Sequence, residues 1–377
     1  MTATTTGHPV LALDSFLAHG CPFLLGDGIE EQLPQRLRAV AFDTAFLVTS
    51  RDLLPLHGNR LHALLTDAGI RTVVITVDER MGIKSWRALT DLCERLVLAG
   101  VTRDSLLIAF GGGTVSNLVG LAAGLVYRGV RFIDVPTTAT ALTDSSLSNK
   151  QAINGAAGKN QFGLYHAPEF IWSDVAYLRS EPKTQLRGAI VEALKNGLIN
   201  DSAWFDAFSN SLDPDLNAVR GDLLATVTAM VKSKLPILQD DPGERGSAVI
   251  LEYGHTVGHA VEWASEGRLP HGEAVSIGMC AAAHLGLQLG ITRAEVLERQ
   301  EYVLGERLGA PTRIPADLAL ERLMDLIVSD NKRRAGNDVQ FIFITTVGRP
   351  HAPAGSYLTP VPRRAVLAAL AGRGGSR

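Results

Sequence analysis

The first half of the chain alternates short apolar runs with longer amphipathic stretches. TAFLVT (44–49), TVVIT (72–76), SLLIAF (105–110) and RFIDV (131–135) are such runs, and an apolar run without polar alternation marks a strand covered on both faces. Between them, Asn59 to Ala68 and Ser85 to Ala99 repeat apolar residues every three or four positions, the period of a helix that lays one face on a sheet. Strand and helix in alternation predict a parallel α/β nucleotide-binding layer. Beyond about Asp174 the strand signals fade, and helical stretches such as LRGAIVEALKNGLI and LNAVRGDLLATVTAMVKSKLPIL take over. The expectation is an α/β N-terminal nucleotide-binding domain over 1–174 and a mainly α-helical C-terminal domain over 175–377. Late in the chain VQFIFITTV (339–347) reads as an isolated strand, and RPHAPAGSYLTPVP as a proline-rich surface connection.

Composition narrows the class. The 377 residues are 46% hydrophobic and 20% charged, with a net charge of -3, which is ordinary for a globular enzyme and leaves no basic field for nucleic acid. The three cysteines, Cys21, Cys93 and Cys280, stand far apart and suggest neither a disulfide framework nor a metal knuckle. The opening MTATTTGHPV lacks a basic start and an apolar run, and no stretch approaches the roughly 20 apolar residues of a membrane span. A cytoplasmic protein with no membrane partner is expected.

The segment GHTVGHAVEWASEGRLPHGEAV (254–275) carries the densest chemistry. His255 and His259, four apart on a helix, share one face, and His271 follows after a short loop. The zinc-protease pattern needs a glutamate after the first histidine, and Thr256 stands there instead. A histidine pair at this spacing is as often a packed structural pair, and the third histidine in HGE shifts the balance toward a metal. In VEALKNG, Glu192 and Lys195 share a helical face; by themselves they read as a surface salt bridge, but Glu192 with His255 and His271 would make a one-carboxylate, two-imidazole site with open positions.

FGGGTVSN (110–117) follows a predicted strand and opens a predicted helix, so Gly111, Gly112 and Gly113 allow a pyrophosphate to approach the helix N-terminus. It is not the dinucleotide fingerprint, and a tight turn is the plain alternative. PTTATALTD (136–144) then brings Thr137, Thr138 and Asp144, and KQAINGAAGKNQFGLYHAP (150–168) brings Lys150, Lys159 and Asn160 among glycines. Such a loop suits both a cofactor and an anionic substrate.

FGGGTVSN, RGVRF, PTTATALTD, KQAINGAAGKN, VEALKNG, LEYGHTVGHA, HGE and DNKR occur in this order over residues 110–334, and together they resemble the sugar phosphate cyclases, the family of 3-dehydroquinate synthase. The resemblance implies a dehydroquinate synthase-like fold, bound NAD, one divalent metal ion such as zinc or cobalt, and a homodimer. Within the family, KQAIN, Asn117, ILEYGHTVGHA and DNKR are most similar to the branch that cyclises glucose 6-phosphate in aminoglycoside biosynthesis. Two positions agree: dehydroquinate synthases have an asparagine and an arginine that help to anchor a substrate carboxylate where this chain has Glu252 and Ala248. The implied chemistry is transient oxidation at carbon four, loss of phosphate, reduction back and aldol closure, with NAD regenerated.

By this resemblance Glu192, His255 and His271 hold the metal and His259 moves protons. Lys150, Asn160 and Lys332 meet the substrate, chiefly its phosphate; Lys195 and Lys234 line its hydroxyl side; Glu244 assists proton movement; and Arg128 reaches the phosphate from the partner subunit. Asn117 and Lys84 join the cofactor set. The family's ribose-binding glutamate falls at Met81 in DERMGIKS, so Glu79 or Asp78 is expected to serve, with the choice between NAD and NADP left open. Other readings share parts of the pattern: a 3-dehydroquinate synthase, a sedoheptulose 7-phosphate cyclase, an iron-dependent alcohol or glycerol dehydrogenase, or a silent binding protein on the same scaffold.

Overall fold

Strands buried on both faces require helices on both sides of the sheet, and the first unit supplies them. The computed structural model describes residues 10–13, 21–78, 82–156, 158–329 and 338–372, and divides into Met1–Glu181 and Pro182–Arg377. The first unit carries β1 (Leu11–Leu13), β2 (Phe23–Gly26), β3 (Ala45–Ser50), β4 (Thr72–Val77), β5 (Leu106–Gly111), β6 (Arg131–Pro136), β7 (Lys150–Gly155), β8 (Gly158–Tyr165) and β9 (Ile171–Asp174). Its helices are α1 (Leu33–Leu37), α2 (Asn59–Asp67), α3 (Trp86–Leu98), α4 (Gly113–Leu125) and α5 (Ala139–Thr143). The sheet runs β1-β2-β9-β6-β5-β3-β4, parallel except for the β1–β2 pair. One face packs on α3 and α4 through Leu89, Leu92, Leu96, Val115 and Leu118; the other packs on α1 and α2 through Leu33, Leu37, Leu61 and Leu65. Helix α3 begins where Ser85 accepts a hydrogen bond from the Ala88 N–H at 3.2 Å. Because β3 steps out to β4 and the chain then returns to β5 on the other side of β3, the topological switch point lies between β3 and β5.

The cut falls at Glu181 instead of after Asp174. Asp174 accepts N–H bonds from Gly28 and Glu30 at 2.8 and 2.9 Å, and Tyr177 donates to Glu30 at 2.8 Å, so this segment stays bound to the first unit. Residues 150–168, read as a loop, form the β7–β8 hairpin with Lys150 opposite Tyr165. Gly163 fits only as glycine, since a Cβ there would lie 2.2 Å from the Gln151 carbonyl oxygen.

The second unit comprises α6 (Lys183–Asn200), α7 (Ser202–Asn210), α8 (Asn217–Gly221), α9 (Leu223–Asp240), α10 (His255–Ala264), α11 (His271–Gln288), α12 (Ala294–Glu301), α13 (Leu320–Val328) and α14 (Arg363–Ala371), with β10 (Val339–Phe341), β11 (Ile344–Thr346), β12 (Arg349–Pro350) and β13 (Thr359–Val361). The stretch 216–238 is two helices, because Asp222 leaves the helical backbone and caps a new start at Leu223 by accepting from the Ala225 N–H. The single strand expected over 339–347 is two, β10 paired with β13 and β11 with β12, and the proline-rich connection supplies both partners. None of the described helices is long and apolar enough to cross a membrane, and all three cysteines are free thiols.

Helices α6, α10 and α11 approach to backbone contact. A Cβ at Gly272 would lie 2.2 Å from Gly188 Cα, and one at Gly278 would lie 2.0 Å from the Gly254 carbonyl oxygen and 2.6 Å from the Gly258 nitrogen. Gly278→Ala is therefore expected to overpack the α10–α11 contact and lower stability by about 1–3 kcal/mol in denaturant unfolding. Gly305→Ala, whose nearest neighbour would be an ordinary 3.7 Å from Thr312, should leave stability within about 1 kcal/mol of the parent.

Candidate active site

The glycine contacts place one carboxylate between two imidazoles. Glu192 lies on α6 one turn after Gly188, His255 opens α10 directly after Gly254, and His271 opens α11 directly before Gly272. One oxygen of Glu192, Oε1, lies 3.5 Å from Nε2 of His255 and 3.5 Å from Nε2 of His271. The other, Oε2, accepts from Lys195 Nζ at 2.6 Å. Glu192 and Lys195 are each 2% exposed, whereas the His271 side chain is 33% exposed, so the group is closed beneath and open at that imidazole.

The outer nitrogens are already committed. His255 Nδ1 donates to the Tyr253 carbonyl at 3.1 Å, and His271 Nδ1 to Glu262 Oε2 at 2.9 Å, so both Nε2 atoms face the same oxygen. Burial first, then the Lys195 charge, pulls the His255 imidazole down to about 4 against the attraction of Glu192. Burial works against a charge on His271 too, but the flanking carboxylates of Glu192 and Glu262 outweigh it and push the imidazole up to about 10. Glu192 is held well below the usual carboxylate range: burial opposes this, and Lys195, His255 and His271 overcome it.

This donor set fits a divalent ion. Glu192 Oε1 is buried with no hydrogen-bond partner, and ligand atoms of Glu192, His255 and His271 all lie within 4.8 Å of one another. A buried acceptor left unmade is costly, and a cation shared with two imidazole lone pairs satisfies it. His259 stands one turn along α10, its ring 5.2 Å from that of His255 and 6.0 Å from that of His271. Glu252, half-buried at the end of the short helix Ser247–Glu252, adds its negative charge near His255. Lys234 is buried on α9. Glu244 has a left-handed backbone, φ 49°, in a loop held by Asp241, which accepts from the Gly246 N–H at 2.6 Å and the Ala248 N–H at 3.0 Å.

In the first unit β5 ends at Gly111 and α4 begins at Gly113 with no side chain capping its N-terminus. The glycines are needed for packing: Cβ atoms at 111, 112 and 113 would lie 2.7 Å from Val115, 3.2 Å from Thr138 and 2.5 Å from Ser145. An uncapped helix start lined by glycine is a cradle for an anion. Thr137 donates its N–H to the Gly111 carbonyl at 2.9 Å, Thr138 caps α5, and Asp144 follows that helix. Lys84 Nζ donates to Asn117 Oδ1 at 2.8 Å and to Asn160 Oδ1 at 2.5 Å, so two expected cofactor residues and one expected substrate residue meet. Lys150 is exposed at the start of β7, and Lys159 is half-buried on β8. Glu79, Met81 and Lys332 lie outside the described residues.

Two residues were missed in the sequence. Glu262 orients His271, and its spacing from His255 and His259, seven and three residues, puts it on their helical face. Asp134, buried on β6, accepts from Ser116 at 2.7 Å and so anchors the first turn of α4; burial raises its carboxyl to about 6 against the bonds from Ser146 and Ser116.

Comparison with known proteins gives the family. Residues 73–188 match the family model described as 3-dehydroquinate synthase N-terminal, and residues 189–333 match 3-dehydroquinate synthase C-terminal. The chain is 33% identical over 353 residues to a 2-deoxy-scyllo-inosose synthase of Streptomyces kanamyceticus, covering 93% of this chain and 90% of that protein. It is 37% identical over 340 residues to a 3-dehydroquinate synthase of Nitrobacter winogradskyi, covering 86% and 87%. A crystal structure of 2-deoxy-scyllo-inosose synthase complexed with carbaglucose-6-phosphate, NAD+ and Co2+ superposes with a TM-score of 0.87 at 27% identity, covering 96% of this chain and 99% of that one.

His271→Ala is expected to abolish divalent metal retention, measured by elemental analysis after loading and dialysis. Glu262→Gln should weaken metal affinity by about 10- to 100-fold while the fold persists. Full metal content in His271→Ala would show that the three ligands do not form the site.

Proposed function

This chain belongs to the 3-dehydroquinate synthase family of sugar phosphate cyclases, and we propose that it is a 2-deoxy-scyllo-inosose synthase, converting glucose 6-phosphate to 2-deoxy-scyllo-inosose with release of phosphate. The observation that carries the choice of substrate is Glu252 beside the metal ligands, with buried Ala248 four residues before it. A substrate carboxylate would meet an anion and find no cation at 248, whereas the hydroxyls of glucose 6-phosphate can donate to Glu252. The 37% identity to a 3-dehydroquinate synthase supports the alternative, in which the substrate is a keto acid phosphate.

When bound, NAD supplies reversible hydride acceptance, and a divalent ion held by Glu192, His255 and His271 supplies Lewis acidity at the substrate oxygens. Within this reading, the glycine cradle at the start of α4 binds the pyrophosphate, with Thr137, Thr138, Asp144 and Lys84 around it. Lys150, Lys159 and Asn160 on the hairpin give the substrate phosphate and cofactor polar partners. Lys195, fixed on Glu192, and Lys234 line the hydroxyl side. His259 stands beside the metal group to take or return protons, and Glu244 is a second proton-transfer group on its Asp241-clamped loop.

The proposal includes a homodimer in which Arg128 reaches the substrate phosphate of its partner. Tyr127 and Arg128 are consecutive left-handed residues, φ 51° and 67°, followed by Gly129 at 132°. Such strain is retained where something beyond the local chain needs that geometry. Leu125 and Tyr127 beside it are 49% and 43% exposed, apolar surface that a partner subunit would cover.

Incubation with glucose 6-phosphate, catalytic NAD and a divalent metal should release phosphate over many turnovers without net NADH. Accumulation of NADH in step with product would rule out the cyclase cycle. The ratio of kcat/KM values should favour glucose 6-phosphate over the seven-carbon keto acid phosphate, because losing a charge-assisted contact costs roughly 1.5–3 kcal/mol, or about 10- to 150-fold. Glu252→Asn should narrow that ratio; a parent enzyme that prefers the acid is instead a 3-dehydroquinate synthase.

Arg128→Ala and His271→Ala should each be inactive, and mixing them under conditions of subunit exchange should restore part of the activity. No recovery despite demonstrated exchange would mean that the arginine does not act across an interface.

A further inference from the structure

At the carboxyl ends of β3 and β4 the first unit holds a cavity of about 210 Å³, lined among others by Arg51, Thr76, Asp78, Arg87, Asp91 and Arg95. We propose that this cavity takes the adenosine 2′-phosphate of a nicotinamide dinucleotide, with Arg51 and Arg87 as its binding pair, so that the chain accepts NADP as well as NAD. The inference rests on the reading that the α4 N-terminus binds a dinucleotide pyrophosphate.

Topology gives the direction. A dinucleotide lying across the switch point between β3 and β5 extends one half over β6 and the other over β3 and β4. The threonines, Asp144 and hairpin lysines lie on the side of β6, so the reacting nicotinamide half belongs there and the adenosine half lies over β3 and β4. Ile83 lines the cavity, and the next residue, Lys84, bonds Asn117 on α4, which joins the cavity rim to the helix whose N-terminus forms the cradle.

Charge gives the ligand. A lone acid at this place favours the ribose hydroxyls, and an arginine favours a 2′-phosphate. Here both occur, with Arg51 Nη1 3.6 Å from Asp78 Oδ2 in a pair whose arginine is 69% exposed. Arg95 is committed elsewhere, donating to the Thr76 carbonyl at 2.7 Å and to Asp91 at 3.3 Å. Arg87 is exposed and makes no ion pair among the described residues. Among the described lining residues three guanidinium groups stand against two carboxylates, and a doubly charged phosphate is the stronger partner for Arg51 and Arg87.

The test measures NADH and NADPH binding to the metal-loaded protein by reduced-nicotinamide fluorescence, with adenosine 2′,5′-bisphosphate and 5′-AMP as competitors. The parent should bind NADPH within about tenfold of NADH. The bisphosphate should be the stronger competitor. Arg51→Ala and Arg87→Ala should each weaken NADPH by about 10- to 100-fold and NADH by less than about threefold. NADPH binding more than about 100-fold weaker than NADH in the parent, or equal losses for both dinucleotides in the variants, overturns the proposal while leaving the NAD reading intact. Binding of neither dinucleotide overturns both.

Discussion

Backbone contact at a few glycines is the constraint on which the second unit depends. Helices packed through ordinary side chains keep their axes roughly 8–10 Å apart, a spacing set by the side chains at the contact. At Gly188 and Gly272, and at Gly254, Gly258 and Gly278, that layer is absent. The result is that side chains rooted on α6, α10 and α11 converge with their donor atoms within a few ångströms, with no long loop to position them. Rigid helices hold such a constellation more tightly than loops do.

That closeness has an electrostatic cost, and α6 shows how it is met. Every residue from Gly188 to Ile199 is buried, including Glu192, Lys195 and Asn196. A charge so enclosed survives only with a partner, and Glu192 and Lys195 provide one for each other at helical spacing. What the lysine does not cover is the second carboxylate oxygen, the atom directed at both imidazoles. The ion pair therefore fixes which oxygen is offered to the imidazoles.

The parallel strands were legible in the sequence because both faces are covered, and short apolar runs alternating with amphipathic helical stretches mark such strands. His255, His271 and Glu192 were legible as motifs, and donor chemistry and family likeness put them in one site; the packing that brings them together was not legible, since it depends on which glycines face which backbone. GHTVGH displays Gly254 and Gly258 plainly; their contact with Gly278 is a tertiary fact. The β7–β8 hairpin escaped because its outer strand is largely exposed and carries no clean alternation. The late strand broke in two because the chain between Phe341 and Ile344 changes partner, from β13 to β12. Glu79 and Lys332 drew attention through family likeness alone.

One cation, Lys84, is shared by the amide oxygens of Asn117 on the cradle helix and Asn160 on the hairpin. The two ends of this bridge are energetically joined. A ligand at the helix that strengthens or loosens the ammonium's hold on Asn117 changes its hold on Asn160, and by thermodynamic reciprocity a ligand at the hairpin acts back on the helix by the same free energy. If the helix holds the cofactor and the hairpin the substrate, as proposed, their affinities become coupled quantities, and neither has a single value unless the occupancy of the other is stated.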